Sequence, residues 1–126
     1  MQTLHISTEH KRQVIDITDQ VAATLPDDEG MLSVFVQHTT AALTIMDLDP
    51  GTDDDFLDFL NSLVPNIDWR HPHDPAHAPD HLLASLVGPS AVVPYIKGRL
   101  QLGSWQRLVL VEFDGPRELS VIISSK

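Results

Sequence analysis

The stretch Met31-Leu32-Ser33-Val34-Phe35-Val36-Gln37-His38-Thr39-Thr40-Ala41-Ala42-Leu43-Thr44-Ile45-Met46 decides how the rest of the chain is read. Strand side chains alternate between two faces, so Leu32, Val34 and Val36 share one face while Ser33, Phe35 and Gln37 share the other. Carried one step on, that parity sets His38 on the apolar face at the strand's end. Only Thr39 and Thr40 separate this run from a second apolar one, Ala41 to Met46. The joint between two predicted strands therefore carries an imidazole and two hydroxyls.

Toward the N-terminus, Thr3 to Ser7 alternates, and Val14, Ile15 and Ile17 form another short β-like run beyond the polar His10-Lys11-Arg12 break. Thr18 or Asp19 is placed to cap a short helix through Leu25, ended by the loop Pro26-Asp27-Asp28-Glu29-Gly30. Toward the C-terminus, Pro50-Gly51 is a turn and Thr52 an N-cap. Asp53, Asp54 and Asp55 then fill a first helical turn, where the dipole favours anions. Phe56, Leu57, Phe59, Leu60 and Leu63 make an apolar stripe, and Pro65 stops the helix. Asn66 to Pro79, with its prolines and histidines, reads as a long ordered loop. A further helix is predicted from Pro79 or Asp80 to Gly88-Pro89. The last third is β again: Ala91 to Ile96, Arg99 to Leu102, Leu108 to Phe113 and Leu119 to Ile123. The last two flank Asp114-Gly115-Pro116, a turn signal that predicts a hairpin. Strands at both ends with helices between them predict one α+β domain over residues 1–126, a mixed, mostly antiparallel sheet or sandwich with two or three helices.

Composition narrows the function. With 126 residues and 42% hydrophobic content the chain can bury a core. Eighteen acidic against eight basic residues give a net charge of −10, which disfavours nucleic acid and anionic membrane surfaces as partners. No run approaches the roughly 20 apolar residues of a membrane span, and no secretory signal pattern opens the sequence. The absence of cysteine removes disulfides and thiolate ligands. A cytoplasmic location is expected.

Four of seven histidines, His71, His73, His77 and His81, lie within eleven positions. Neutral imidazole is the commonest metal ligand, and three of them leave a position open for water or substrate. Pro75 and Pro79 interrupt any helix that would align them, so they read equally as surface histidines of a polar loop. His38, pointing inward, is either a satisfied core residue or a ligand. Glu112 shares strand parity with Leu108 and Leu110, so its carboxylate faces the core, where acids are paired. Arg117, across the Asp114-Gly115 turn, is the nearest partner, and the two form either a structural pair or a base with an anion clamp. Gly103-Ser104-Trp105-Gln106 combines flexible backbone, hydroxyl, indole and amide, suited to holding a phosphate on backbone N–H groups with a ring stacked on the indole. Of the six aspartates from Asp47 to Asp58, most read as the solvated face of the helix, while Asp47 and Asp49 precede it and are placed where they could face the site.

Four segments together resemble one family: His38-Thr39-Thr40-Ala41-Ala42-Leu43-Thr44; His73 with His81-Leu82; Gly98-Arg99-Leu100-Gln101-Leu102-Gly103-Ser104-Trp105-Gln106; and Glu112-Phe113-Asp114-Gly115-Pro116-Arg117. In this order they are similar to the secondary thiamine-phosphate synthase (YjbQ-like) family, over essentially the whole chain. The resemblance implies an α+β protein, commonly a homotrimer. It also implies a three-histidine site for a divalent ion such as zinc, falling on His38, His73 and His81, and it alone selects His73 over His71 and His77. The family name implies joining a thiazole phosphate alcohol to a pyrimidine diphosphate, which the resemblance marks as a side activity, so a small phosphorylated metabolite is the expected partner. On this footing Thr39, Thr40, Gly103 and Ser104 are expected to orient phosphate oxygens, and Trp105 and Gln106 to contact the ring. Arg117 is expected to supply charge, and Glu112 to act as base or fix Arg117. A metal- or metabolite-binding module without catalysis and a metal-dependent phosphoester hydrolase are the alternatives. The chain departs from the family pattern at His77, where Asn is usual, at Leu83, where Lys is usual, and at Ser104, where Thr is usual.

Overall fold

The computed structural model describes all 126 residues. Chain order is β1 (Gln2–Ser7), β2 (Gln13–Asp16), α1 (Thr18–Ala22), β3 (Glu29–Val36), β4 (Ala41–Met46), α2 (Thr52–Ser62), a 3-10 turn (Pro75–His77), α3 (Ala78–Val87), β5 (Ser90–Ile96), β6 (Arg99–Leu100), β7 (Arg107–Glu112) and β8 (Glu118–Ser125). The strands form two antiparallel sheets, ordered β1-β8-β3-β5-β6 and β2-β7-β4. The expected single-domain α+β fold with antiparallel sheets and three helices is the one observed.

Strand periodicity explains the layers. Leu32, Val34 and Val36 of β3, with Leu119, Val121 and Ile123 of β8, face inward and meet Leu43, Leu108 and Leu110 of the smaller sheet. The opposite face of that smaller sheet, Ala42, Val109, Val111 and Phe113, packs on Leu60 of α2 and on Leu83 and Ala84 of α3. β7 is thus buried on both faces, which is why every residue from Leu108 to Glu112 is withdrawn from solvent. No helix is long and apolar enough to cross a membrane.

Several sequence expectations need correction. β7 and β8 are not a hairpin: both sides of β7 are taken by β2 and β4, and β8 pairs with β1 and β3 in the other sheet. The turn between them passes from one sheet to the next. α1 stops at Ala22 rather than Leu25 and has no side-chain cap; the Thr18 hydroxyl lies 2.6 Å from the Asp16 carboxylate. Gly51, in the left-handed region at φ 91°, precedes α2 in place of a Thr52 cap. Phe59 and Leu63 of the expected α2 stripe are exposed, because only one side of the helix meets the sheet. α3 begins at Ala78, led in by the 3-10 turn, whose Asp74 carboxylate accepts the Ala76 N–H. β6 ends at Leu100 rather than Leu102.

Candidate functional site

The β3–β4 joint is built by the loss of a ladder. β3 ends at Val36, paired with Val121. Beyond it the Gln37 N–H donates to the Ser120 carbonyl at 3.1 Å, and the Ser120 N–H donates to Nε2 of His38 at 3.0 Å. The imidazole therefore takes the place of the next backbone acceptor. Just beyond the strand's end, His38 is half-buried rather than in the core. Burial pushes its pKa below the usual 6.5, and the nearby Arg117 charge adds to this, with Glu112 opposing.

His38 and Thr39 line a cleft of about 480 Å³ with Phe35, His81, Ser85 and Pro89. Behind this joint lies a charged clamp. Glu112, at the end of β7, is wholly buried, and its Oε1 accepts from Arg117 Nη2 at 2.8 Å and from the Asp114 N–H at 3.0 Å. Its Oε2 accepts from Arg117 Nε at 3.1 Å and lies 3.0 Å from the Thr8 hydroxyl. Arg117 Nη2 also donates to Thr40 Oγ1 at 2.6 Å, and the Arg117 N–H donates to Thr8 Oγ1 at 2.9 Å. Every Glu112 contact is thus internal, so it fixes Arg117 and has no open path to a ligand as a base. Thr40 is likewise buried and bonded to Arg117, leaving Thr39 as the threonine that faces the cleft. Arg117 itself is partly exposed, and its Nη1 has no partner within the chain.

Gly103–Gln106 lies elsewhere. Ala41 pairs with Glu112 and Met46 with Arg107, so the segment sits at the far end of β7 from His38. Six strand residues at about 3.4 Å each separate those ends by roughly 17 Å. The Gly103 N–H is used internally, donating to Gln106 Oε1 at 2.8 Å. Ser104 and the largely exposed Trp105 line a separate cleft of about 180 Å³ with Asp16, Asp47, Asp49 and Arg107. In that cleft Arg107 Nε is 2.7 Å from Asp16. Burial raises the Asp16 pKa, but its Thr18 and Arg107 hydrogen bonds outweigh this and hold it below the ordinary carboxylate value. Within one chain these residues do not join the His38 cleft.

The loop histidines divide three ways. His71 packs its ring on His81, with centroids 4.7 Å apart. His73 is exposed, with a left-handed φ of 69°. His77 Nε2 is 3.4 Å from Asp74. The three-residue group whose ligand atoms lie within 4.8 Å of one another is His77, Asp80 and Asp114. Buried Asp80 there is already paired with Lys11 at 3.1 Å and Arg12 at 3.0 Å, which leaves little charge for a cation. The set His38, His73 and His81 does not fit a metal ion within this chain: His73 stands outside the cleft, and Nε2 of His38 is engaged by Ser120.

The family model described as UPF0047 protein YjbQ-like matches residues 2–125. The chain belongs to the YjbQ-like family. It is 41% identical over 123 residues to a UPF0047 protein of Archaeoglobus fulgidus, covering 97% of this chain and 98% of that one. It is 36% identical over 124 residues to the UPF0047 protein YugU of Bacillus subtilis, covering 93% and 92%. Among solved structures, the conserved hypothetical protein TT1486 of Thermus thermophilus superposes with TM-score 0.91 at 34% identity, covering both chains completely. The hypothetical protein APE1520 of Aeropyrum pernix gives TM-score 0.89 at 36% identity, covering 99% and 96%.

Two features of this site escaped the sequence reading: the residue Thr8, and the contact between His71 and His81, two histidines that were each already candidate residues. Thr8 anchors both Glu112 and Arg117, and its signal was present: it follows Leu4 and Ile6 on the core parity of β1. The neighbour of His81 is His71, for which a proline-interrupted loop offers no periodic signal.

Proposed function

We propose that this YjbQ-like chain is a cytoplasmic enzyme that binds a small phosphorylated heterocycle in the cleft between His38 and His81. The supporting observation is the cleft lined by His38, Thr39 and His81, together with the Arg117 guanidinium, which is clamped by buried Glu112, has Nη1 unpaired, and lies near enough to His38 to lower its pKa. A guanidinium held by its own carboxylate is already oriented, so an oxyanion meets it with little loss of freedom. The reaction favoured by the family resemblance is thiamine-phosphate formation. There the bond from a pyrimidine methylene to pyrophosphate breaks, and a thiazole nitrogen takes the methylene. Arg117 and Thr39 would hold the departing pyrophosphate, and apolar Phe35 would flank a ring.

Calorimetry with inorganic pyrophosphate tests the site. His81→Ala is expected to weaken binding at least about tenfold, as loss of one hydrogen bond to a charged group does. Trp105→Ala is expected to leave it unchanged. Loss in the tryptophan variant with full affinity in the histidine variant would move the site to the other end of β7.

We also propose that copies of the chain associate, as the trimer implied by the resemblance, through the outer face of the five-stranded sheet. Met31, Phe35, Val92 and Ile96 stand there between 44% and 53% exposed. Ser33 and Pro94 lie between them, and the charged Glu29, Arg99 and Glu118 stand at the rim. On a chain of net charge −10 this uncharged apolar face is where two copies can meet without repulsion.

A further inference from the structure

We infer that His38 serves the cleft as a hydrogen-bond donor through Nδ1–H, reaching an acceptor oxygen of the bound ligand, and that it is not a metal ligand. The assignment follows from what Ser120 can do. A backbone N–H only donates, so Nε2 of His38, 3.0 Å from it, must present a lone pair. A neutral imidazole with an accepting Nε2 carries its proton on Nδ1. A metal-binding histidine has the reverse arrangement: one nitrogen faces the ion, and the other donates its N–H to a carbonyl, carboxylate or water. Here the group behind the ring is a donor. Coordination through Nε2 would strip the Ser120 N–H of its partner at the end of the β3–β8 ladder. Coordination through Nδ1 would need a ring with no proton at all.

The rest of the geometry suits a donor. Nδ1 has no partner within the chain, yet no buried side-chain nitrogen is left unsatisfied, so Nδ1 is open to solvent. The ring lines the cleft beside Thr39, and Arg117 lies close enough to disfavour a second positive charge on it. A neutral donor next to a fixed cation is the pairing an oxyanion requires, with the proton supplied at a set position. That the acceptor is a phosphate oxygen rests on the function proposed above; the tautomer does not.

Two variants and one spectrum test this on the full chain. Glutamine offers a carbonyl to Ser120 and an amide N–H to the ligand, but is a poor ligand for zinc. His38→Gln is therefore expected to keep pyrophosphate affinity within about threefold, while His38→Leu loses about tenfold or more. Long-range proton–nitrogen NMR of ¹⁵N-labelled protein at neutral pH is expected to show His38 protonated at Nδ1. Added zinc chloride is expected to leave that resonance pattern unchanged. A proton on Nε2, a zinc-induced change at His38, or equal loss of affinity in both variants would overturn the inference. If the tautomer is as expected and zinc leaves it alone, but pyrophosphate binds nowhere in the cleft, His38 keeps its assignment and the proposed function fails.

Discussion

Glu112 shows how much a single buried charge can organise. It is fully buried and bonded to Arg117, Thr8 and the Asp114 N–H, joining β1, β7 and the start of β8. Removing one partner of a buried ion pair leaves the other charge uncompensated. Glu112→Ala is therefore expected to cost about 3 kcal/mol, the lower end of the range because Arg117 is partly hydrated, as read from urea unfolding. This pair was legible in the sequence, since strand parity alone placed the carboxylate inward and the turn returned Arg117 to it. His38 was legible as a residue but not in its setting: parity carried it into the core because nothing in the sequence announced that β3 ends at Val36. Its depressed pKa has a consequence for stability. On acidification the unfolded chain takes up this proton first, so the contribution of His38 is complete above about pH 6.5 and drains away as pH falls through the lower folded-state value. Urea midpoints at pH 7.5 and 5.5 should fall less with acid in His38→Gln than in the parent chain.

At the level of elements, the instructive case is Asp114-Gly115-Pro116. As a local signal it is a hairpin turn, and local signals carry no information about which strands already occupy both sides of β7. The long-range pairing overrode the local preference, and the turn acquired another task. The Gly115 N–H donates to the Lys11 carbonyl at 2.9 Å, pressing the turn against the β1–β2 loop. A Cβ on Gly115 would run into the His10 carbonyl and come within 2.7 Å of the Thr8 hydroxyl. Gly115→Ala should thus destabilise by about 1–3 kcal/mol by overpacking and should loosen Thr8 from the clamp, visible as reduced thermal stability with weaker pyrophosphate binding. The helices α2 and α3 that cover the smaller sheet were legible from their apolar runs and the Pro and Gly residues that bound them, though not from side-chain caps, whereas the His71–His81 contact belongs to a loop whose path only the folded chain defines.

For the molecule as a whole, the class was legible because apolar periodicity switches from two to nearly four and back along the chain. The division into two sheets was not, for strand partners are set by distant residues. That division leaves the larger sheet with one face on the core and one face bare, while α2 and α3 cover the smaller sheet. Val92→Glu, placing a charge in the middle of the bare face, should yield a folded monomer where the parent chain is an oligomer, as measured by light scattering after size exclusion. A parent chain that is itself monomeric contradicts the association. The division also holds His38 and Trp105 near opposite ends of one strand, so a ligand at one is separable from a ligand at the other. The most direct measurement is an amide NMR titration of the ¹⁵N-labelled chain with inorganic pyrophosphate. Shifts are expected to gather at His38, Thr39, His81 and Ser85, with Ser104 to Gln106 undisturbed. Shifts confined to Ser104 to Gln106, or none up to millimolar pyrophosphate, would contradict binding in the His38 cleft.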